Sequence, residues 1–175
     1  VGISMPMILA TPESTLDLLR TAGVRMFYLV GGFDPITQQA FTGSHPGELV
    51  KAYAAIAKAH DAGIEPYTSF LFGNDTDNEG SFDRVLAFAD RARIRKAEFA
   101  IRTPYPGTPS YKKLLAEERI LHRDFSRYND ANVVFRPAQM TPERLQQGYL
   151  DVWRQFYASR RDLRGVDQRE RTIQF

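Results

Sequence analysis

The chain has 175 residues and carries 23 Lys and Arg against 21 Asp and Glu, a formal net charge of +2. This length is typical of one domain, and so small a positive surplus gives no electrostatic argument for binding nucleic acid or an anionic membrane. Cysteine is absent, which excludes disulfides, thiol nucleophiles and thiolate-bound zinc or iron–sulfur centres within this sequence. No apolar run reaches the roughly 20 residues of a membrane-spanning helix.

The sequence starts at Val1 without an initiator Met or a leader, so we expect a processed protein or an excised piece, and favour the piece. His45, His60 and His122 are scattered without the short spacing of metal ligands. His60, beside the predicted helix end at Ala62-Gly63, is better read as a charge partner of that helix terminus than as a catalyst. We therefore predict no catalytic residue and no metal ligand in this chain.

In chain order, residues 2–9 are a weak strand candidate because Pro6 interrupts the run. Thr11-Pro12-Glu13 places a capping hydroxyl, a helix-compatible Pro and a carboxylate in order, which predicts a helix ending at Ala22-Gly23. Four further helices are predicted by their apolar spacing and caps: 47–62, one capped by Ser81, one opening at Thr108-Pro109, and one opening at Thr141-Pro142 and carrying Trp153 and Phe156.

Short apolar runs follow the helix ends and predict strands near 26–30, 67–72, 97–101 and 132–135. Strands that alternate with helices indicate βα units, so we expect a parallel sheet in sequential order with helices on its outer face. The fold class is α/β, a partial TIM-like (β/α) barrel plus a C-terminal helix over residues 1–158. Residues 159–175 form a charged C-terminal segment, and because its run from Arg160 to Arg171 mixes both signs without aromatics, we predict a solvated tail or the end of the last helix.

Three loops follow predicted strands, where parallel α/β folds bind their ligands. Gly31-Gly32-Phe33-Asp34-Pro35 brings a flexible backbone and a carboxylate that could meet an amino group, although the residues alone favour a plain turn with Asp34 as helix cap. Residues 72–80 are rich in side-chain oxygen but lack the spacing of a calcium loop, so a solvated turn is favoured there. Residues 102–109 hold three prolines and a glycine, a rigid loop suited to stacking on a flat ring or holding an anion.

Together these motifs resemble the C-terminal half of radical S-adenosylmethionine (SAM) enzymes, in the group that often carries a cobalamin-binding domain and includes anaerobic magnesium-protoporphyrin monomethyl ester cyclases and C-methyltransferases. Five segments carry the resemblance, which covers about residues 15–158: Gly32-Phe33-Asp34, His60 to Ile64, Ser69 to Asp77, the loop Thr103-Pro104-Tyr105-Pro106-Gly107-Thr108-Pro109, and Asp124 to Glu143. Asp34 stands where the family has Glu. The resemblance implies the last four βα units of a radical SAM barrel.

The resemblance implies that the whole enzyme binds SAM on a [4Fe–4S] cluster and cleaves it reductively to a 5′-deoxyadenosyl radical. The cluster loop Cys-x-x-x-Cys-x-x-Cys would precede Val1, so this chain alone is expected to hold no cofactor and to be inactive. Cobalamin is a candidate further cofactor of the whole enzyme, and the cytoplasm its expected location. The family's SAM pocket maps onto ten residues: Asp34, Phe72, Gly73, Asp75, Asp77, Thr103, Pro104, Pro106, Gly107 and Thr108.

The substrate would be a small molecule, and the reaction a tetrapyrrole cyclisation or a C-methylation. The partner implied is the N-terminal part of the same barrel. Without it, we expect an unpaired sheet edge near 3–9 or 26–30 and dimerisation through that edge. The alternative from another class is a cysteine-free binding or scaffolding protein with half a barrel.

Overall fold

The computed structural model describes residues 1–29 and 46–160. Within them the elements alternate as the sequence predicts, with two exceptions: a helix replaces most of the first strand candidate, and the last predicted strand is absent. The strands are β1 (Gly2–Ile3), β2 (Met26–Leu29), β3 (Glu65–Phe72) and β4 (Lys96–Ile101). The helices are α1 (Met5–Ala10), α2 (Glu13–Thr21), α3 (Pro46–Asp61), α4 (Ser81–Arg91), α5 (Pro109–Ala116) and α6 (Pro142–Ala158), with a 3₁₀ turn at Phe125–Arg127.

The four strands form one sheet in the order β1-β2-β3-β4, and every neighbouring pair is parallel. Tyr28 lies opposite Tyr67, and the β3–β4 register runs from Tyr67 opposite Lys96 to Phe72 opposite Ile101. The prediction of sequential parallel strands at 26–30, 67–72 and 97–101 is thus confirmed over their described residues. A partial β/α fold agrees with this sheet.

The strand candidate at residues 2–9 is wrong beyond Ile3, since Met5 onward is helical. Ser4 accepts a hydrogen bond from the Met7 amide at 3.4 Å and caps α1, which carries Pro6 in its first turn. A proline there sacrifices an amide that has no partner in a helix anyway, so the residue that weakened the strand suits the helix.

The strand predicted at 132–135 is also wrong. Instead of joining the sheet, this segment pairs with residues 119–121: Leu121 donates to the Val134 carbonyl at 3.1 Å, and Ile120 and Phe135 form an isolated antiparallel bridge. The loop just before it runs along β4, where the Ile101 amide donates to the Asp130 carbonyl at 2.7 Å. Val133, Val134 and Phe135 are buried although they join no strand of the sheet, and a short buried apolar run is typical of a strand in sequence.

Two of the four predicted helix caps are confirmed. Thr108 accepts from the Tyr111 amide at 3.2 Å and Thr141 from the Arg144 amide at 3.1 Å. Thr11 instead ends α1 by donating to the Met7 carbonyl at 2.7 Å, and α2 starts without a side-chain cap. Ser81 is the first helical residue of α4 and accepts from the Asn78 amide at 3.1 Å.

The core lies between the helices and one face of the sheet. Phe70, Phe72 and Phe99 project from β3 and β4 onto that face and pack in contact with rings of α4 and α6, among them Phe88, Phe82 and Phe156. Trp153 packs edge-on against Phe99, as predicted for the last helix. The alternating residues form the opposite side of the sheet, called the open face below: Met26, Tyr28, Tyr67, Ser69, Leu71, Glu98 and Ala100, all partly or well exposed.

An open face is unusual for a parallel sheet, because such sheets are normally covered on both sides. The open face is what a piece of a β/α barrel would leave toward the barrel interior.

Among the described residues, no helix combines the length and apolar character that crossing a membrane requires. Residues 161–175, most of the predicted tail, lie outside the described residues.

Candidate functional site

The carboxyl ends of β3 and β4 lie side by side, since the Arg102 amide donates to the Phe72 carbonyl at 2.8 Å. The loops that follow, residues 73–78 and 102–108, are called the rim. This adjacency brings together nine of the ten predicted cofactor residues on one edge of the sheet. The tenth, Asp34, and its glycine-rich loop lie outside the described residues.

Asp77 holds the first rim loop together. Its Oδ2 accepts from the Gly73 amide at 2.9 Å and from the Asn74 amide at 2.8 Å. Burial raises the pKa of the Asp77 carboxyl above its usual value, although the hydrogen bonds from Asn74 and Gly73 act in the opposite direction. The carboxylate is therefore committed to the backbone of its own loop, and only 8% of the residue is exposed.

Asp75 connects the first rim loop to the segment beyond β4. Its carboxylate forms ion pairs with Lys113 at 2.6 Å and with Arg119 at 2.8 Å. The hydrogen bond from Lys113 is the main reason that the pKa of the Asp75 carboxyl is lowered, with Arg119 adding to it. The two rim carboxylates predicted to meet the cofactor, Asp75 and Asp77, are thus already engaged within the protein.

The second rim loop is fixed by its own hydroxyl groups. The single hydroxyl proton of Thr103 is shared between the Ile101 and Asn129 carbonyls, at 3.2 and 3.1 Å. Thr108 donates to the Tyr105 carbonyl at 2.7 Å while capping α5. Pro104 is buried and Pro106 exposed. Gly107 has φ 87° and no atom within 4 Å of a Cβ built on it, so its backbone faces open space.

Phe72 and Gly73 offer only main-chain atoms to a ligand. The Phe72 ring lies on the covered face, 5.0 Å from the Phe82 ring. Gly73 has φ 95°, and a Cβ there would come within 3.0 Å of Phe135, so glycine is required by both conformation and packing. The cavity beneath, lined in part by Arg102 and Leu114, has about 10 Å³, room for about one water.

The sequence reasoning missed a polar cluster on the open face, below the rim. Tyr28 donates to Glu98 Oε1 at 2.8 Å and Tyr67 to Oε2 at 3.4 Å, while the two rings stack at 5.5 Å. Tyr28, Tyr67 and Glu98 will be called the Tyr–Glu cluster. The sequence contained one indication of this cluster. Strands buried on both faces are continuous apolar runs, whereas Tyr67 and Glu98 place polar groups in the runs of β3 and β4.

A groove of about 410 Å³ lies away from the rim, between α2 and α3. It is lined by Glu13, Asp17 and Asp61, together with Lys58 and small side chains. The Lys58 ammonium is committed to the Leu9 and Thr11 carbonyls at the end of α1, at 2.9 and 2.6 Å. The groove thus offers acidic groups without a free cation from Lys58.

No protein-family model matches the chain. The chain is 27% identical over 128 residues to the bacteriochlorophyllide d C-12(1)-methyltransferase of Chlorobaculum tepidum, which is 72% of this chain and 28% of that protein. It is 26% identical to the C-8(2)-methyltransferase of the same organism, over 82% of this chain and 32% of the relative. The anaerobic magnesium-protoporphyrin IX monomethyl ester cyclase of Cereibacter sphaeroides is 25% identical over 59% of this chain and 16% of its own length.

The chain therefore spans about a third or less of the length of these curated relatives. Its low-identity likeness to two bacteriochlorophyllide d methyltransferases and to a magnesium-protoporphyrin IX monomethyl ester cyclase agrees with the radical SAM-related resemblance of its motifs.

Proposed function

We propose that this chain is part of a radical SAM enzyme that methylates or cyclises a tetrapyrrole. The observation that carries the proposal is the sheet itself: four parallel strands with helices on one face and two motif-bearing loops at one edge. That arrangement suits a segment of a β/α barrel whose ligands bind at the carboxyl ends of the strands. The names of the relatives supply the reaction types and the tetrapyrrole class.

The residues of this chain do not fit the iron–sulfur cluster. A [4Fe–4S] cluster of this family is held by thiolates, and the sequence contains no cysteine. The proposal therefore places the cluster ligands outside these 175 residues. Cobalamin, as a second cofactor for methyl transfer, would likewise be bound elsewhere.

The rim fits part of SAM, the adenosine end. Asp75, Asp77, Thr103 and Thr108 already have partners within the protein, so they shape the loops rather than contact the ligand. The groups left for adenine are the Gly107 backbone, the nearby Pro106 ring and the Tyr105 ring, which is 47% exposed. A rigid loop of this kind positions a flat ring and excludes water at little entropic cost.

The second candidate is a binding or scaffolding protein that retains half a barrel. The absence of cysteine and the internal engagement of the rim carboxylates favour it. The two candidates can be distinguished by one reaction product, 5′-deoxyadenosine, because a scaffold does not cleave SAM.

The test uses the complete product of the reading frame that contains these residues, purified without oxygen and supplied with iron, sulfide, a reductant and SAM. We expect formation of 5′-deoxyadenosine, measured by chromatography. The Asp34→Ala variant should reduce it at least tenfold, whereas Asp17→Ala, in the groove between α2 and α3, should not. A reconstituted protein that forms no 5′-deoxyadenosine would contradict the proposal and favour the scaffold.

A further inference from the structure

The Tyr–Glu cluster lies on three adjacent strands at one level of the open face. Tyr28 and Tyr67 are opposite each other in the β2–β3 register, and Glu98 is opposite Ser69 one step further along. The Tyr28 side chain reaches across β3 to Glu98 on β4, so its ring lies over the sheet and 38% of the residue stays exposed. The sheet therefore presents a ring surface and a carboxylate together.

Glu98 has no ion-pair partner in the described part of the chain. Among residues 1–29 and 46–160, no basic side chain forms an ion pair with Glu98, including Lys96, two residues before it. Outside the described residues, 30–45 contain one His and neither Lys nor Arg, whereas 161–175 contain four Arg. A half-buried carboxylate without a cation is costly unless a partner arrives.

The two phenols donate to Glu98 without exhausting it. The hydrogen bond to Glu98 raises the pKa of Tyr28, and burial, followed by the charge of Glu98, raises that of Tyr67, so both hydroxyls stay protonated at neutral pH. Each carboxylate oxygen accepts one phenol and has a second lone pair left. The phenols thereby aim the carboxylate while leaving room for two further donors.

We propose that the Tyr–Glu cluster binds the cationic nitrogen, ammonium or guanidinium, of a small organic ligand on the open face. The N–H groups donate to the free lone pairs of Glu98, and the cation lies against the Tyr28 ring. Apolar side chains flank the cluster, Met26 at 38% and Leu71 at 36% exposure, and accommodate the carbon skeleton.

A metal ion suits the cluster less well. Hard divalent cations take six or more oxygen ligands, or keep several waters around two carboxylates. In the described residues, no group of three or more His, Cys, Asp and Glu is close enough to hold a metal ion. The single carboxylate between two phenol donors instead suits a ligand that donates hydrogen bonds through N–H groups.

The test is a calorimetric titration of the protein with benzylamine and benzylguanidine, with benzyl alcohol as the neutral probe. We expect saturable binding of at least one cationic probe, at least tenfold weaker in Glu98→Gln, and no measurable binding of the alcohol. Glu65→Gln is the matched control, because Glu65 is on the same face and already lies 3.9 Å from Arg95. That variant should bind like the wild type.

Three outcomes would overturn the proposal: no binding of either cation, equal binding in Glu98→Gln, or equal binding of benzyl alcohol. Thermal unfolding of each variant distinguishes a ligand site from an internal ion pair. If an Arg or Lys of the protein itself occupies Glu98, the probes will not bind and Glu98→Gln will lower the melting temperature. If Glu98→Gln does not fold, Glu98→Asp, which withdraws the carboxylate by one methylene, replaces it with the same expected weakening.

Discussion

Asp77 determines the shape of the first rim loop, because its carboxylate is the partner of two consecutive backbone amides. Replacing it by Ala leaves the Gly73 and Asn74 amides without that acceptor, and Gly73 is buried. We expect Asp77→Ala to lower the free energy of unfolding by about 1–3 kcal/mol, measured by urea denaturation.

Thr76→Ala is the control for this loop, since Thr76 is exposed in the same turn. It should change the stability by less than about 0.5 kcal/mol. Equal effects of the two substitutions would mean that the Asp77 hydrogen bonds do not hold the loop.

Asp75 makes the stability depend on pH in a defined direction. Its pKa is lowered in the folded protein, chiefly by the hydrogen bond from Lys113, so the unfolded chain binds the proton more tightly. This stabilisation is complete above the pKa of Asp in an unfolded chain, near 3.9, and is lost as the pH falls through the lower pKa of Asp75 in the folded protein. The stability difference between wild type and Asp75→Asn should therefore shrink as the pH falls from about 4 towards the pKa of the folded protein. A difference that is constant over this range in urea denaturation would contradict this role.

At the scale of elements, α6 approaches α4 closely because Gly148 has no side chain. A Cβ at this position would lie 2.3 Å from ring carbons of Phe82, which is itself buried. Alanine would gain about 1 kcal/mol of helix propensity but force one of the two helices to move. We expect Gly148→Ala to destabilise the protein by about 2 kcal/mol in urea denaturation.

Gly47, in the first turn of α3, is the matched control, because nothing lies within 4 Å of a Cβ there. Gly47→Ala should be neutral or stabilising by up to about 1 kcal/mol. A Gly148→Ala variant as stable as Gly47→Ala would show that the two helices are free to move apart.

The predicted elements differ in whether the contacts that determine them are near or distant in the sequence. Helix spacing and the Thr108 and Thr141 caps depend on residues within one turn, and the sequence predicts them correctly. Residues 132–135 pair with residues 119–121 instead of joining the sheet, and because the local pattern does not reveal this contact, the buried apolar run was mistaken for a strand. Ser81 was misassigned for a different reason: its hydroxyl accepts from the Asn78 amide, three residues before it, instead of from an amide of the helix that follows.

At the scale of the whole molecule, the open face and the short β1 edge are surfaces through which copies of the chain should associate. We expect the apparent mass in light scattering to rise with concentration. Leu71→Lys, on the open face, should suppress this association, whereas Leu150→Lys, equally exposed on α6, should not. A monomer at all concentrations would contradict the prediction.

The candidate site was predictable only in part. Motif loops at strand ends identified the edge of the sheet, because parallel strands bring their carboxyl ends together. The sequence did not reveal that Asp75 forms ion pairs with Lys113 and Arg119, or that Asp77 accepts hydrogen bonds from backbone amides. These partners depend on the path of the loops. The Tyr–Glu cluster was missed because its members come from three strands separated by up to 70 residues.

The most direct test of the central claim, that the rim holds the adenosine end of SAM, is an NMR titration of the ¹⁵N-labelled 175-residue chain with SAM. Without the cluster as an anchor, we expect weak binding, roughly millimolar, with shifts concentrated at the Tyr105 and Gly107 amides. Micromolar affinity, or shifts confined to residues away from the rim, would contradict the account.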